Sequence, residues 1–257
     1  THTERATGMM QRFLGESGLS PEVLLSEVLE SIGDQVLYVP DPVPFAAALR
    51  EHSDPLGCHV HLNYGVQANP KEKGGSKDDN VHESADACTV AKRYAEAKHI
   101  LESSQVEVQV DVELWLDYEP DALYGPRTPA FFEAEKLVIK HVSPTLDVYV
   151  DRSGLYMNHS TVLCVPHGRL PEGDDDDFGY ARLDVYSIDQ LHLLLHNRFT
   201  VEHYLSHIKG SVNNYPKSIR EILIPRVEPE ALHSILALPF EERQAAVDDL
   251  VGSLIGQ

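Results

Sequence analysis

The sequence contains few cysteines, few basic residues and no long apolar run. The three cysteines, Cys58, Cys88 and Cys164, are widely spaced and odd in number, so they form neither a disulfide framework nor a paired metal knuckle. This usage is typical of reduced thiols in a cytoplasmic protein, and we expect that compartment. Because no stretch of 18 apolar residues occurs, we predict no membrane-spanning helix. The chain begins at Thr1 rather than Met, from which we expect it to be part of a longer protein.

Positive charge is scarce throughout the chain. There are 21 basic residues against 41 acidic ones, which gives a formal net charge of −20. Nucleic-acid-binding proteins usually carry a basic footprint, so any contact with DNA must depend on local cationic clusters. At ~1 M salt the Debye length is only ~3 Å, which screens the repulsion between acidic surfaces and phosphate. We therefore expect a halophilic source.

Sequence motifs for common catalytic sites are missing. There is no glycine-rich nucleotide loop, no nucleophile elbow and no His-Glu-x-x-His helix. The Asn-Pro-Pro-Tyr motif that holds a flipped adenine in amino-methyltransferases is also absent, since Asn213-Asn214-Tyr215-Pro216 shares its letters but not their order. We expect no catalytic residues in this stretch.

Two groups of residues have the composition of metal ligands. Four histidines lie four, seven and four residues apart on a predicted helix, where they could share one stripe and bind zinc: His192, His196, His203 and His207. Glu96-Ala97-Lys98 offers half of a nuclease metal site, with Asp86 upstream. The alternative explanation is a His-rich polar helix face for the histidines and a chance triplet for Glu96-Ala97-Lys98. We predict no metal site and keep a metal-dependent nuclease as an alternative function.

The patterning favours an α+β fold, with a twisted, mostly antiparallel sheet, flanking helices and a C-terminal helix. We predict helices at residues 20–33, 90–101 and 188–208 and from 229 onward, and strands at 58–64, 106–112, 136–142, 146–150 and 161–165, with an exposed acidic loop at 171–179. The expected domains are a helical leader or linker at 1–55, a recognition domain at 56–226 and a helical segment at 227–257.

Several segments occur in an order that resembles a known family. They are Trp115-Leu-Asp-Tyr118-Glu-Pro120, Gly125-Pro-Arg127-Thr-Pro129, Phe131 to Lys140, Tyr149 to Ser160 with Asp151-Arg-Ser-Gly154, Leu191 to Arg198, and Ser211 to Pro225. Together they resemble the TaqI-like specificity domain, which follows the catalytic domain in many N6-adenine DNA methyltransferases of type IIG and related restriction-modification or phage-defence systems. Arg198 departs from the family, which usually has serine at that position.

The resemblance implies a non-catalytic chain that recognises double-stranded DNA. A catalytic methyltransferase domain of the same polypeptide would be its second partner, and that domain would use S-adenosylmethionine, whereas this stretch would need no cofactor. An acidic adaptor for a protein partner remains a further alternative. The candidate DNA-contact residues are Arg127, Lys136, Lys140, His141, Asn158, His159, Ser160, Lys217, Ser218 and Arg220.

Six of these candidate residues have an alternative explanation. Strand alternation places Lys136 and Lys140 on one face, where they would hold phosphates or simply be solvated. Asn158, His159 and Ser160 have donors and acceptors suited to DNA, but such side chains also satisfy backbone groups at a bend. For Arg127 we expect either a contact with DNA or an ion pair with a carboxylate of the protein.

Overall fold

The computed structural model describes residues 44–70, 75–101, 103–170, 180–209 and 211–257. The predicted helix at 20–33 and the predicted acidic loop at 171–179 lie outside the described residues. Contacts divide the chain into residues 1–43 and a unit from Pro44 to Gln257, to which all described residues belong.

Short strands dominate the first two thirds of this unit. They are β1 (Ser53–Pro55), β2 (Val60–Tyr64), β3 (Gln67–Pro70), β4 (Val81–His82), β5 (Ala91–Ala95), β6 (Leu114–Asp117), β7 (Leu123–Gly125), β8 (Lys136–Lys140), β9 (Val148–Asp151), β10 (Tyr156–Met157), β11 (Thr161–Pro166) and β12 (Leu223–Pro225). The helices are α1 (Ala46–Glu51), α2 (Pro129–Glu133), α3 (Ile188–His196), α4 (Arg198–His203), α5 (Pro216–Arg220), α6 (Pro229–Leu236) and α7 (Phe240–Leu254). Short 3-10 turns and a π-helical turn at Tyr204–Ile208 complete the described elements.

The central sheet has the strand order β2-β11-β8-β9 and is antiparallel throughout. Every residue of β11 is buried, because this strand lies between two neighbours and is covered on both faces. Leu163 pairs with Val138 on one side and with Asn63 on the other. A continuous apolar run, rather than strict alternation, is what such a strand requires.

A second sheet, in the order β10-β5-β6-β4, packs over one face of the central sheet. Its one parallel pair joins β10 to β5. An aromatic cluster fills the space between the sheets: the rings of Phe132 and Tyr156 stack at 4.5 Å, and Tyr118 meets Tyr156 edge-on at 4.9 Å. Val138 and Leu163 of the central sheet belong to the same cluster.

Helices cover the other face of the central sheet. Leu137, Ile139 and Cys164 are fully buried there, and α3 packs against β8 and β9. Both α6 and α7 pack against α3 in turn. Two smaller pairs, β1 with β12 and β3 with β7, are antiparallel as well. This arrangement confirms the predicted α+β class. None of the described helices has the length and apolar character needed to cross a bilayer.

Three predicted elements were wrong. Residues 91–95 form β5 rather than a helix, since pairing with β6 buries Tyr94 and Ala95 and outweighs the helical propensity of alanine, lysine and arginine. Residues 106–112 make only isolated bridges, at Glu107 and Val110. The helix predicted at 188–208 is interrupted at Asn197 and ends in the π-helical turn.

Candidate nucleic-acid interface

Several predicted contact residues meet at one end of the central sheet. Because its strands are antiparallel, the last residues of β2 and β8 lie beside the first residues of β11, with Tyr64 opposite Val162 and Lys140 opposite Thr161. Tyr64 and Lys140 lie opposite consecutive residues of β11, so their side chains point to opposite faces of the sheet. We call this end of the sheet the strand-end surface and define it by residues on both of its faces: Tyr64, Lys140, His141, Val142, His159, Ser160, Asn213 and Tyr215.

Backbone hydrogen bonds join the three segments that form this surface. The His141 N–H donates to the Ser160 carbonyl at 2.9 Å, and the Asn214 N–H donates to the His141 carbonyl at 2.6 Å. A bridge pairs Val142 with Asn213. Gly65 lets the chain leave β2 close to β10, since a Cβ at this position would lie 2.2 Å from the Met157 carbonyl oxygen. The surface is therefore held by main-chain bonds and by one close approach.

His141 lies between two tyrosine rings. Its ring centroid is 5.2 Å from that of Tyr64 and 5.3 Å from that of Tyr215. Burial lowers the pKa of His141, and the neighbouring His159 lowers it further. Its Nε2 is buried and has no hydrogen-bond partner among the described residues. The imidazole is thus held edge-on between two aromatic rings, which fixes its orientation.

Asn158 and Ser160 mainly hold the turn before β11. Asn158 is buried, and its Oδ1 accepts from the Ser160 N–H at 3.0 Å and from the Ser160 hydroxyl. The Ser160 Oγ also accepts from the Ala97 N–H at 2.9 Å. Their polar atoms satisfy neighbouring groups, which leaves His159 as the exposed side chain of the triplet.

Cations lie around this surface. The Lys140 Nζ is 5.6 Å from the centre of the Tyr149 ring, and the Lys98 side chain is 65% exposed just beyond Ala97. Burial acts to raise the pKa of Glu96, but hydrogen bonds from Lys77 and Lys98 outweigh it and leave that pKa below its ordinary value. The Glu96 carboxylate is therefore paired with two lysines, Lys77 and Lys98.

The predicted contact of Lys136 with phosphate was wrong. The side chain is fully buried, and its Nζ lies 2.5 Å from the Asp151 Oδ2 and also donates to the Phe132 carbonyl. Burial lowers the pKa of Lys136, while the Asp151 carboxylate acts to raise it. An ammonium group enclosed in this way has no surface to offer to DNA, so its role is structural.

Arg127 lies on the opposite face of β2 from Tyr64. Its Nη2 donates to Asn63 Oδ1 at 2.8 Å and its Nη1 donates to the Pro126 carbonyl at 3.2 Å. Asn63 and Tyr64 are consecutive in the strand, so their side chains point to opposite faces. The guanidinium group lines an open cleft of about 480 Å³ together with His61, Pro120 and Phe131.

The predicted cluster at 217–220 follows Tyr215 directly. The Ser218 N–H donates to the Tyr215 carbonyl at 2.9 Å and starts α5, which packs against β2. Lys217 is exposed, whereas Arg220 is half-buried and its side chain lies over Gly57, where a Cβ would be 2.5 Å from the Arg220 Cγ. Lys217 is thus the more accessible cation of the cluster.

The described residues do not bring three His, Cys, Asp or Glu side chains into an arrangement that holds a metal. Glu96, required by the nuclease hypothesis, is occupied by Lys77 and Lys98. The four histidines form two separate ring pairs, with centroids 4.3 Å apart for His192 and His196 and 4.8 Å apart for His203 and His207. The break at Asn197 separates the pairs.

Sequence reasoning missed Tyr64, Val142, Asn213 and Tyr215. Tyr64 and Tyr215 belong to segments far apart in the chain, and only the strand pairing brings them to His141. The sequence signal that could have indicated Tyr215 was Asn213-Asn214-Tyr215-Pro216. Proline is favoured in the first turn of a helix, so Pro216 marks the start of α5 and places Tyr215 at the end of the preceding loop.

Comparisons with known proteins find similar chains among the solved structures, and two of them are described here. No family model matches the sequence, and no curated protein matches it. The crystal structure of the HsdS subunit from Thermoanaerobacter tengcongensis is 11% identical with a TM-score of 0.35, covering 98% of this chain and 50% of that chain. A structure described under "complex assembly and conformational transition of the type I R-M system" is 12% identical with a TM-score of 0.44, covering 99% and 53%. The chain thus spans about half the length of each.

Proposed function

We propose that this chain is the DNA sequence-recognition domain of an N6-adenine methyltransferase in a restriction-modification or phage-defence system. One observation carries the proposal. The segments around 140–141, 158–160 and 211–218, which the resemblance to specificity domains marked from sequence alone, are distant in the chain and meet at the strand-end surface.

The chemistry of this surface supports a role in binding duplex DNA. Lysine side chains at its margin, Lys98, Lys140 and Lys217, suit phosphate contacts, which position a protein on DNA. The side chains between them, His159 and Asn213, carry donors and acceptors that match base edges. A stiff sheet that presents polar side chains between cations is what base readout requires.

The charge distribution is consistent with this assignment. The protein is strongly acidic overall, yet the acidic side chain nearest Ser160 and Ala97 is paired with Lys77 and Lys98. Local attraction to phosphate is then possible on this surface, while the acidic remainder disfavours unspecific contacts. Salt screens the long-range repulsion between the acidic remainder and phosphate, which lets the local cations approach DNA.

Methyl transfer belongs, in this proposal, to a separate catalytic domain of the same polypeptide. That domain would bind S-adenosylmethionine and receive the flipped adenine, and the present chain would select the sequence. The 257-residue chain incubated with S-adenosylmethionine and a randomised duplex pool should therefore leave the DNA unmethylated. Robust methylation by this chain would contradict the division of labour.

The binding role is tested by selection and salt titration. Repeated selection from a randomised duplex pool should enrich one sequence, and the affinity for it should fall with salt by about 0.9 log units per log unit for each phosphate neutralised. The K140A/K217A variant should bind more weakly and lower that slope by roughly two.

The matched control removes a cation from the C-terminal helix. R243A has the same charge change as one lysine variant but lies on α7, so its affinity and slope should equal those of the unaltered chain. A slope near zero, or no enriched sequence, would contradict the proposal and favour the acidic adaptor.

A further inference from the structure

The strand-end surface carries apolar side chains that the fold leaves uncovered. Val142 is 64% exposed and Tyr215 43%. Other large apolar residues that are exposed among the described ones, such as Tyr124 and Val185, lie in other segments. Isolated exposed apolar residues are ordinary, but Val142 and Tyr215 are both joined to Asn213, the first by a strand bridge and the second by a side-chain hydrogen bond.

Main-chain pairing holds this group together. Val142 forms a bridge with Asn213, and the Ser143 N–H donates to the Val212 carbonyl at 3.1 Å. The Asn213 Nδ2 donates to the Tyr215 hydroxyl at 2.9 Å. This bond uses one of the two amide hydrogens, so the second hydrogen stays available and the orientation of the amide is fixed.

The cations around this group indicate that its occupant is DNA. Lys140 precedes Val142 by two residues, and Lys217 follows Tyr215 by two. An apolar protein partner or a lipid tail would gain nothing from these two lysines, whereas the phosphates that border a DNA groove would be held by them.

An exposed valine beside an asparagine matches one feature of the major groove. Thymine presents a methyl group there, and adenine presents the N6 donor and N7 acceptor that an asparagine amide pairs with. We propose that Val142 and Asn213 read an A·T base pair in the major groove, with Val142 in contact with the thymine methyl. This inference rests on the proposed DNA-recognition function.

Replacing thymine by deoxyuridine removes only that methyl group. In the duplex sequence enriched by the 257-residue chain, each thymine is replaced singly by deoxyuridine and the dissociation constant is measured. Burial of one methyl-sized group corresponds to roughly a three- to fivefold change in affinity, so at least one position should weaken binding by that factor.

Two variants connect the effect to this residue. V142A should bind the thymine and deoxyuridine duplexes with equal affinity, because the side chain that contacts the methyl is gone. V185A, which shortens another exposed valine, should keep the three- to fivefold preference. Val142 is exposed, so V142A should unfold at the same urea concentration as the unaltered chain.

The outcomes separate the two proposals. Enrichment of a sequence that binds thymine and deoxyuridine duplexes equally well would overturn the Val142 assignment and leave the recognition function standing. A preference for thymine that persists in V142A would overturn it too. Failure to enrich any sequence would overturn both the recognition function and this inference.

Discussion

The ion pair between Lys136 and Asp151 shows how one buried contact organises the loop between β9 and β10. The Asp151 carboxylate accepts from Lys136 on one oxygen, together with the Leu155 N–H at 2.9 Å, while its other oxygen accepts from the Ser153 N–H at 2.8 Å. Gly154, with φ of 70°, completes the turn. The pair thereby fixes the chain between β9 and β10, which leads to Asn158 and the strand-end surface.

Removing the ammonium group should destabilise the protein severely. K136M would leave the Asp151 carboxylate buried without its cation, and breaking a buried pair in this way costs about 3–5 kcal/mol. Urea unfolding measures the loss. K140M, on the same strand but partly exposed, should change stability by less than about 0.5 kcal/mol.

A double variant distinguishes the ion pair from simple packing. In K136M/D151N no charge is buried, so part of the lost stability should return. If the stability lost in K136M/D151N equals the sum of the losses in K136M and D151N, the two side chains act independently and the ion-pair explanation is wrong.

Among the elements, the break at Asn197 determines how the helices cover the sheet. Its backbone is extended, with φ of −63° and ψ of 142°, so it ends α3 and begins α4. The Asn197 Oδ1 accepts from the Thr200 N–H at 3.0 Å, and its Nδ2 donates to the Thr200 hydroxyl and the Leu194 carbonyl. One buried amide thus satisfies groups of both helices.

Loss of this side chain should weaken the helical layer. N197A removes an N-terminal cap and leaves buried polar groups without partners, a combined cost of about 2 kcal/mol. Chemical denaturation measures it, with N213A, a partly exposed asparagine, as the control that should stay within about 0.5 kcal/mol. Equal stability of the two variants would show that Asn197 does not act as a cap.

At the scale of the whole molecule, buried histidines couple stability to pH. Burial, together with a smaller effect of the neighbouring His167 and His207, lowers the pKa of His59 and of His203 to about 4 in the folded protein, although Asp54 acts to raise that of His59. Both rings have nitrogens without hydrogen-bond partners among the described residues. Unfolding exposes these bases, which then take up protons at an ordinary pKa of about 6.5.

Stability should therefore fall as the pH is lowered from about 6.5 towards 4. In that range the unfolded chain binds protons that the folded chain excludes, and each such histidine contributes a slope of up to about 1.4 kcal/mol per pH unit. H203F should flatten the curve of unfolding free energy against pH, whereas H233Q controls for the loss of an imidazole from the surface. An unchanged slope in H203F would exclude His203 as a source.

Local pattern determined much of the fold. The apolar patterns at 136–142 and 161–165 predicted two strands of the central sheet, which the structure has at Lys136–Lys140 and Thr161–Pro166. Ser187 predicted the start of α3, and its Oγ accepts the capping hydrogen bond from the Gln190 N–H at 3.3 Å. These features depend on residues within a few positions of one another, and the sequence displays such relations directly.

Tertiary structure alone decided which polar residues reach the surface. Lys136 and Lys140 share a strand face, but only Lys136 meets a carboxylate 15 residues further along and becomes buried. Residues 91–95 became a strand because β6 and β10 pair with them. The absence of catalytic motifs could be derived from the sequence, and the candidate segments for DNA contact followed from the resemblance to specificity domains. Their meeting at one end of the sheet could not, because strand pairing sets distances between residues that no local pattern relates.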